Sequence, residues 1–553
     1  MQLTPSSSKL NPWLVIAFIV IPVFIGSLDL TIVSAFLPEL IVELQLPLQT
    51  SLDDTSWILS GYLLAYTVSL TFSGRLSDLI GRRAVYIACL LIFIVGSLWV
   101  AVAQGLPSQW VYRLLRMAGE RPDPAVVDLI SIIIGRVIQA LGAGALVPVS
   151  MALVSDMFPP EQRAQPLGLI GALDTLGWVL GHLYGGLLLQ IRVPLSFAQM
   201  IGQRVVPLAD APHLATLPWQ ALFWVNIPLS LIALGMVVWG LRHVPQIRRE
   251  GRFDWLGTTL LVGALIVLNV SLGANIEVGG ASSFDEMSSL PPYAIPGLGL
   301  AVALFVAFVL VEQRVKDPLI NLAMFRRRNF LSGAIANLFI GFVLMIGLIA
   351  VPILVNVRQE DVSDLRGAAL SVGLLLSTLT VPMAIAAIPG GWLSMRWGYR
   401  LTTAIGLLIS MVGFVLVWQT WTLTISDFHI SWQMAIVGIG IGLTFSPISA
   451  SVINSADSQD RGVASALVLV LRLVGMTVSV SALTTYSLRE VNRLAEIALG
   501  TNSALADPFL YANTYATIVV EVLGTLGLFG ALVCVVALVP TYFMQGKGEA
   551  QHG

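Results

Sequence analysis

The sequence predicts an all-α polytopic membrane protein: two pseudo-symmetric six-helix bundles with two further membrane-spanning helices inserted between them, fourteen in all. Three observations point there. Of 553 residues, 56% are hydrophobic and only 11% charged, with a mean hydropathy of +0.87, whereas a soluble chain carries about a quarter charged residues. Fourteen apolar runs can be placed, each able to cross roughly 30 Å of hydrocarbon as a helix, the form that satisfies its own backbone hydrogen bonds without water. A loop segment, Gly74–Arg83, returns in register as Gly391–Arg400, with Gly, Leu, Ser, Gly and Arg matching.

The first run, 12–36, has no small-residue cleavage site and carries Asp29 within it, so it reads as a retained span and not a signal peptide. Runs at 56–73, 84–104, 129–155, 163–189 and 221–241 complete a bundle over residues 1–241. Runs at 254–274 and 293–312 form a linker over 242–328, bracketed by the two densest basic segments, Arg242–Arg252 and Arg314–Arg328. Runs at 329–355, 367–389, 401–421, 432–453, 462–486 and 514–540 make the second bundle, 329–553. An even count puts both termini on one side. With that side inside, Lys and Arg favour the inner connections by about two to one, which predicts cytoplasmic termini in the cell membrane. A fainter echo pairs Pro148 and Arg163 with Pro447 and Arg461. Parallel six-helix repeats are the layout of a rocking-bundle transporter, with its substrate site at mid-membrane between the repeats.

Three outer connections are long: 105–128, 190–220 and 487–513. In the first, Trp110, Val111, Leu114 and Leu115 share one helical face, with Arg113 and Arg116 off it. That pattern suits a short helix lying on the outer leaflet; a folded surface loop fits equally.

Composition excludes several functions. Net charge is −2 and no basic domain exists to hold nucleic acid. The two cysteines, Cys89 and Cys534, sit in apolar runs and offer neither a disulfide framework nor a metal site. No phosphate-binding G-x-x-x-x-G-K-[ST] loop is present, and Lys9, Lys316 and Lys547 are the only lysines, so an ATP-driven pump is disfavoured. The five histidines are scattered, which leaves an integral-membrane enzyme as a remote alternative. No cofactor is expected.

Charge inside the membrane is the positive signal. A carboxylate at the depth of Asp29 costs about 2.5–3.5 kcal/mol on insertion scales and usually faces a partner, a cavity or an ion. Arg136 lies about seven residues, roughly 10 Å, below the outer end of its run, and Asp29 reaches a similar depth, so the two are expected to meet. Protonating the carboxylate would remove the pair's stabilisation while Arg keeps its charge. The bland alternative is a structural ion pair. Asp174, near mid-depth on the fifth run, is a second candidate for proton or substrate binding. Arg472 and Glu521 are candidates for a structural pair in the second bundle.

Four motifs resemble those of a known family. Gly74-Arg75-Leu76-Ser77-Asp78-Leu79-Ile80-Gly81-Arg82-Arg83 matches the pattern G-x-L-a-D-r-x-G-R-[KR]. Leu28–Pro38 resembles L-D-x-T-[IV]-x-N-x-A-L-P, with Ser34 for Asn and Phe36 for Ala. Gly135–Gly144 resembles R-x-x-Q-G-x-G, with Ala140 for a Gly. Gly168, Gly177, Gly181, Gly185 and Gly186 fall in register with G-x8-G-x3-G-P-x2-G-G, with His182 in place of the proline. On these motifs the chain resembles the major facilitator superfamily, in particular its fourteen-span drug:proton antiporter branch.

The resemblance implies a cytoplasmic gate at Gly74, Asp78, Gly81, Arg82 and Arg83, weaker in the second copy because Met395 replaces the aspartate. It implies proton or cationic-substrate binding at Asp29. His182 stands in the branch's antiport signature and could itself titrate near neutrality; a histidine merely hydrogen-bonded near the span's end fits as well. The expected function is proton-coupled export of hydrophobic or amphipathic compounds by a monomer. The alternative is export of a lipid or lipid precursor to the outer leaflet. Protons, the exported compound and membrane lipids are the expected partners.

Overall fold

The computed structural model describes residues 10–33, 36, 40, 43–44, 48–119, 121–202, 205, 207–208, 210–244, 246, 248, 251–272, 293–358, 365–499 and 508–544. Their regular structure is helical apart from one two-stranded ribbon. Two compact units are formed. The first holds residues 1–159, 180–253 and 459–466; the second holds 160–179, 254–458 and 467–553.

Helix α1 (Pro12–Thr31) starts where Asn11 accepts a hydrogen bond from Trp13 N at 3.0 Å, with Pro12 at the first helical position, where a missing N–H costs nothing. Helix α2 (Leu48–Ile80) is separated from α3 (Arg82–Ala101) by Gly81 alone. A short α4 (Leu106–Met117) follows. Then comes α5 (Pro124–Met157), capped by Asp123, whose carboxylate accepts from Ala125 N at 2.9 Å. Helix α6 (Ala164–Leu189) bends by 45° between Trp178 and Leu183. The connection after it folds into strand β1 (Arg192–Pro194), helix α7 (Leu195–Ile201) and strand β2 (Leu214–Thr216). The strands pair antiparallel, Arg192 opposite Thr216. Helix α8 (Gln220–Leu241) completes this part of the chain.

Helices α9 (Trp255–Ser271) and α10 (Ala294–Glu312) are the inserted pair. They pack on each other through small residues: Gly263 faces Leu304, and Gly297 lies against Ser271. Helices α11 (Arg328–Val357), α12 (Leu365–Trp397), α13 (Tyr399–Thr420), α14 (Asp427–Asn454), α15 (Arg461–Leu499) and α16 (Pro508–Tyr542) follow.

Among the described residues, eleven helices are long and apolar enough to cross a membrane, or twelve if bent α6 is one span. The fourteen of the sequence count are therefore not all recovered. Helix α9, at 17 residues, is only about 25 Å long, and several side chains of α2 lie outside the described set. A second difference is that residues 487–499, expected as loop, continue α15. Leu488, Val491 and Ala495 keep a helical apolar period there, and Arg493 grips Glu490 one turn back, with Nε at 2.9 Å from Oε2. The long connection after α3 contains a helix, α4, one of the two readings the sequence leaves open there.

The repeat is visible in the backbone. Gly81 and Gly398 occupy the same place in the two copies, and both have positive φ, 109° and 87°, a region that glycine enters without the steric cost of a Cβ. Each therefore breaks its helix sharply. Ser77 and Ser394 each bond back to the first glycine of their copy at 2.8 Å. Those first glycines lie against helix starts: Gly74 on the Gly462 backbone in the first unit, Gly391 on that of Gln165 in the second.

Helices α3 and α5 touch through glycines. A Cβ at Gly96 would meet the backbone of Gln139, and one at Gly142 the backbone of Cys89 and Phe93. Gly186 faces open space. Gly142→Leu should therefore lower stability by about 1–3 kcal/mol through overpacking, while Gly186→Ala should be nearly neutral. Unfolding midpoints of the two variants in detergent check this.

Candidate functional site

The apolar residues of α1, α5 and α8 bring three polar side chains to one point. Arg136 on α5 donates from Nη1 to Asp29 Oδ2 on α1 at 2.5 Å and from Nη2 to the Asp29 carbonyl at 3.0 Å. Asn226 on α8 donates to the other carboxylate oxygen, Oδ1, at 2.7 Å. Gln139, one turn beyond Arg136, accepts from Nη1 at 2.7 Å and donates to Ser97 Oγ on α3 at 2.8 Å. Asp29, Arg136, Gln139 and Ser97 are fully buried.

Aromatic rings close the site. The guanidinium lies 4.1 Å from the Tyr62 ring centroid and 5.8 Å from that of Phe223, contacts that favour a cation without needing an acceptor. Phe223 meets Phe36 and Trp219 edge-on at 5.6 and 6.0 Å, and Phe36 stacks on Trp219 at 5.3 Å. Trp219 Nε1 donates to Glu43 at 2.7 Å, and Gln104 donates to the same carboxylate at 2.9 Å. The ion pair thus sits beneath a packed aromatic layer that is itself pinned by a half-buried carboxylate.

Such a centre can hold one proton or one cation in place of the pair. With the carboxylate ionised, both oxygens are satisfied and the guanidinium is neutralised. With it protonated, Arg136 loses its counter-charge but keeps its own. A buried cation without its anion is unfavourable by several kcal/mol.

The remaining candidates fall as follows. Gly181 on α6 lies against Thr31 and the Leu28 carbonyl, so this motif glycine lets α6 approach α1 one residue from Asp29. Gly168 lies against Ser446 and the Ala387 carbonyl within the second unit. Gly177 and Gly185 are buried and Gly186 is open. Asp174 is buried, in the part of α6 that belongs to the second unit. The side chain of His182 lies outside the described residues. Arg472 is buried with its guanidinium 4.3 Å from the Phe445 ring, whereas Glu521 is exposed on α16 and no ion pair joins them. Similar depth had suggested that pair, but depth does not fix which way each helix turns its residue.

The loop motif forms a second polar centre in the first unit. Asp78 pairs with Arg82, which also holds Asp156 at 3.2 Å and Ser77 at 2.7 Å. The Asp78 carboxylate accepts from the backbone N–H groups of Gly462 at 3.2 Å and Val463 at 3.3 Å. These are orphan donors at the N-terminus of α15, where the helix dipole also favours an anion. Arg75 approaches Asp460 at 3.8 Å, and the Arg83 amide donates to Gln246 at 3.0 Å. Among the described residues no cluster of His, Cys, Asp and Glu is arranged to hold a metal.

Asn226 and the aromatic layer were not singled out by sequence. Asn226 is a lone amide deep in an apolar run, a signal of the same kind as Asp29. The rings are ordinary core residues until their neighbours are known.

A helical membrane bundle built on an internal repeat, with a charge pair buried inside it, defines a membrane transporter. The chain belongs to the Major Facilitator Superfamily, whose sequence pattern matches residues 19–480. It is 30% identical to a triacylglyceride transporter of Mycolicibacterium smegmatis over 98% of this chain and 89% of that one. It is 31% identical to a triacylglyceride transporter of Mycobacteroides abscessus over 83% and 79% of the two chains. Among solved structures it resembles the proton:xylose symporter XylE, with a TM-score of 0.54, 14% identity and 95% of each chain covered. A bacterial homolog of the human lysosomal transporter Spinster gives 0.52 and 16% over 97% and 98%. At those identities the likeness is one of fold. The relatives do not carry the narrower resemblance to drug:proton antiporters; they are named for a lipid.

If Asp29 and Arg136 stabilise each other, removing one should cost more than removing both. Arg136→Gln should destabilise by about 3–5 kcal/mol, and adding Asp29→Asn should return at least about 1 kcal/mol of it. Denaturation of the two singles and the double in detergent measures the coupling.

Proposed function

We propose that the protein exports a lipid of the acylglycerol class across the membrane by alternating access, driven by proton entry at Asp29. The observation that carries the cargo is the similarity to triacylglyceride transporters along nearly the whole chain. Two features support the coupling: the burial of Asp29 against Arg136, and the hydrogen bond that Asn226 donates to the carboxylate oxygen Arg136 does not hold. A neutral lipid leaving while a proton enters moves one charge inward per cycle, so potential and pH gradient both drive it, the potential by about 2.3 kcal/mol per 100 mV.

In this reading both termini are cytoplasmic, as the basic bias suggests, and the chain acts as a monomer. Helices α2 and α9 join the twelve candidate spans to make fourteen, with bundles at 1–241 and 329–553 and a linker at 242–328. The Asp78–Arg82 centre is the inner gate, releasing the start of α15 when the protein opens inward. Asp174 and His182 on α6 are further proton or substrate contacts.

A second reading, multidrug efflux, is favoured by one observation: the antiporter-motif glycine Gly181 packs against Leu28 and Thr31, residues on either side of Asp29 on α1.

Proteoliposomes with an imposed pH gradient and a fluorescent triacylglycerol decide between them. The lipid reading expects gradient-dependent translocation of the labelled lipid, Asp29→Asn at the rate of empty liposomes, and competition by unlabelled lipid. Transport of cationic dyes with no movement of the labelled lipid would support efflux instead.

A further inference from the structure

Helix α4 is built with three different edges. Pro107, Ser108 and Val111 are buried against the first unit. Ser108 Oγ donates to Asp128 on α5, and Ser108 N to the Ala103 carbonyl at 3.1 Å, so the helix is anchored at its start. A second edge, at i, i+4, i+8 and i+11, carries Leu106, Trp110, Leu114 and Met117, which are 66%, 58%, 69% and 81% exposed. A third edge holds Gln109, Arg113 and Arg116, also exposed. Among the described residues neither arginine forms an ion pair with a carboxylate.

Four large apolar side chains in one uninterrupted stripe are not expected to face water. What covers them is indicated by what they adjoin. Trp110 meets Trp99 edge-on at 6.1 Å, and Trp99 lies in the last turn of α3. Leu91, Val95 and Leu98, 45%, 53% and 44% exposed, form the outward apolar face of that span. The α4 stripe therefore continues the lipid-facing surface of α3 around the corner where the helix leaves the membrane. Aromatic rings at that level are the usual neighbours of lipid headgroups. The arginine edge lies beside the stripe on the side away from the protein, where phosphates would be.

We propose that α4 is an interfacial helix seated in the bilayer leaflet at the α3–α5 end of the bundle, its Leu106–Met117 stripe among the acyl chains and Arg113 and Arg116 on anionic headgroups. In the orientation given above this is the outer leaflet. The inference does not depend on the cargo.

The test needs no transport. In the full-length protein carrying Cys89→Ala and Cys534→Ala, single spin labels are placed by Leu114→Cys or Gln109→Cys. Power saturation is read in vesicles of phosphatidylcholine alone and of phosphatidylcholine with phosphatidylglycerol. The label at 114 should report a depth of about 5–10 Å below the phosphates, dissolved oxygen reaching it far more than a nickel chelate. The label at 109 should show the reverse. Phosphatidylglycerol should deepen the label at 114, and Arg113→Gln/Arg116→Gln should erase that shift, with both residues exposed and the fold unaffected. Equal nickel access at 114 and 109 would put the stripe in water and overturn the proposal. Access by neither reagent at 114 would mean that protein, this chain or a second copy, covers the stripe, and would overturn it too. No difference between the two lipids would overturn the headgroup contact.

Discussion

A guanidinium carried into the interior of a membrane protein keeps its charge at any physiological pH. Arg136 therefore sets a condition that the first unit must meet. The structure meets it with one carboxylate, one amide oxygen and two aromatic faces, from α1, α2, α5 and α8. Once those elements converge on Arg136, their crossing points are fixed, and the glycines follow. Gly96 and Gly142 let α3 and α5 come into backbone contact beside Gln139 and Ser97, and Gly181 lets α6 reach α1 beside Leu28. The pair is poor evidence for stability, since a buried ion pair offsets its desolvation only when every polar atom is satisfied. The proposed switch would use that balance: one proton on Asp29 would undo it while leaving Arg136 charged.

The same logic of orphaned groups recurs at the loop motif. The first N–H groups of α15 have no partner within their own helix, and the Asp78 carboxylate supplies one. The equivalent place in the second copy is Met395, which can accept nothing comparable. There the contact with the start of α6 rests on close packing at Gly391, and Arg163 reaches Asn454 at 2.7 Å. In the first unit Arg461 reaches the Ser155 carbonyl at 3.1 Å. The repeat has thus kept its backbone geometry and lost its symmetry of charge.

Much of this was legible in the sequence because it depends on position along a helix. Depth placed Asp29 level with Arg136, and period marked the loop copies and the amphipathic face of α4. Where rotation about the helix axis matters, sequence carried less. Arg472 and Glu521 sit at compatible depths, yet one is buried over Phe445 and the other exposed. On α4 the expected face divided: Val111 turned into the protein while Trp110 and Leu114 turned out. Asn226 could have been found by the reasoning used for Asp29, since a polar amide deep in an apolar run also needs a partner. The extension of α15 past its apolar run is charged and so reads as loop in sequence, whereas Glu490 and Arg493 are a helical pair.

The claim on which the account rests is that Asp29 changes protonation in the working cycle and parts from Arg136 when it does. Infrared difference spectroscopy of the reconstituted protein, as the pH is lowered through the range in which transport occurs, addresses it directly. The account requires a protonated-carboxyl carbonyl band to appear, to be absent in Asp29→Asn, and to rise together with a change in the Arg136 guanidinium bands. A carboxylate at Asp29 that stays ionised throughout that range would make the pair a fixed structural tie and remove the proposed coupling.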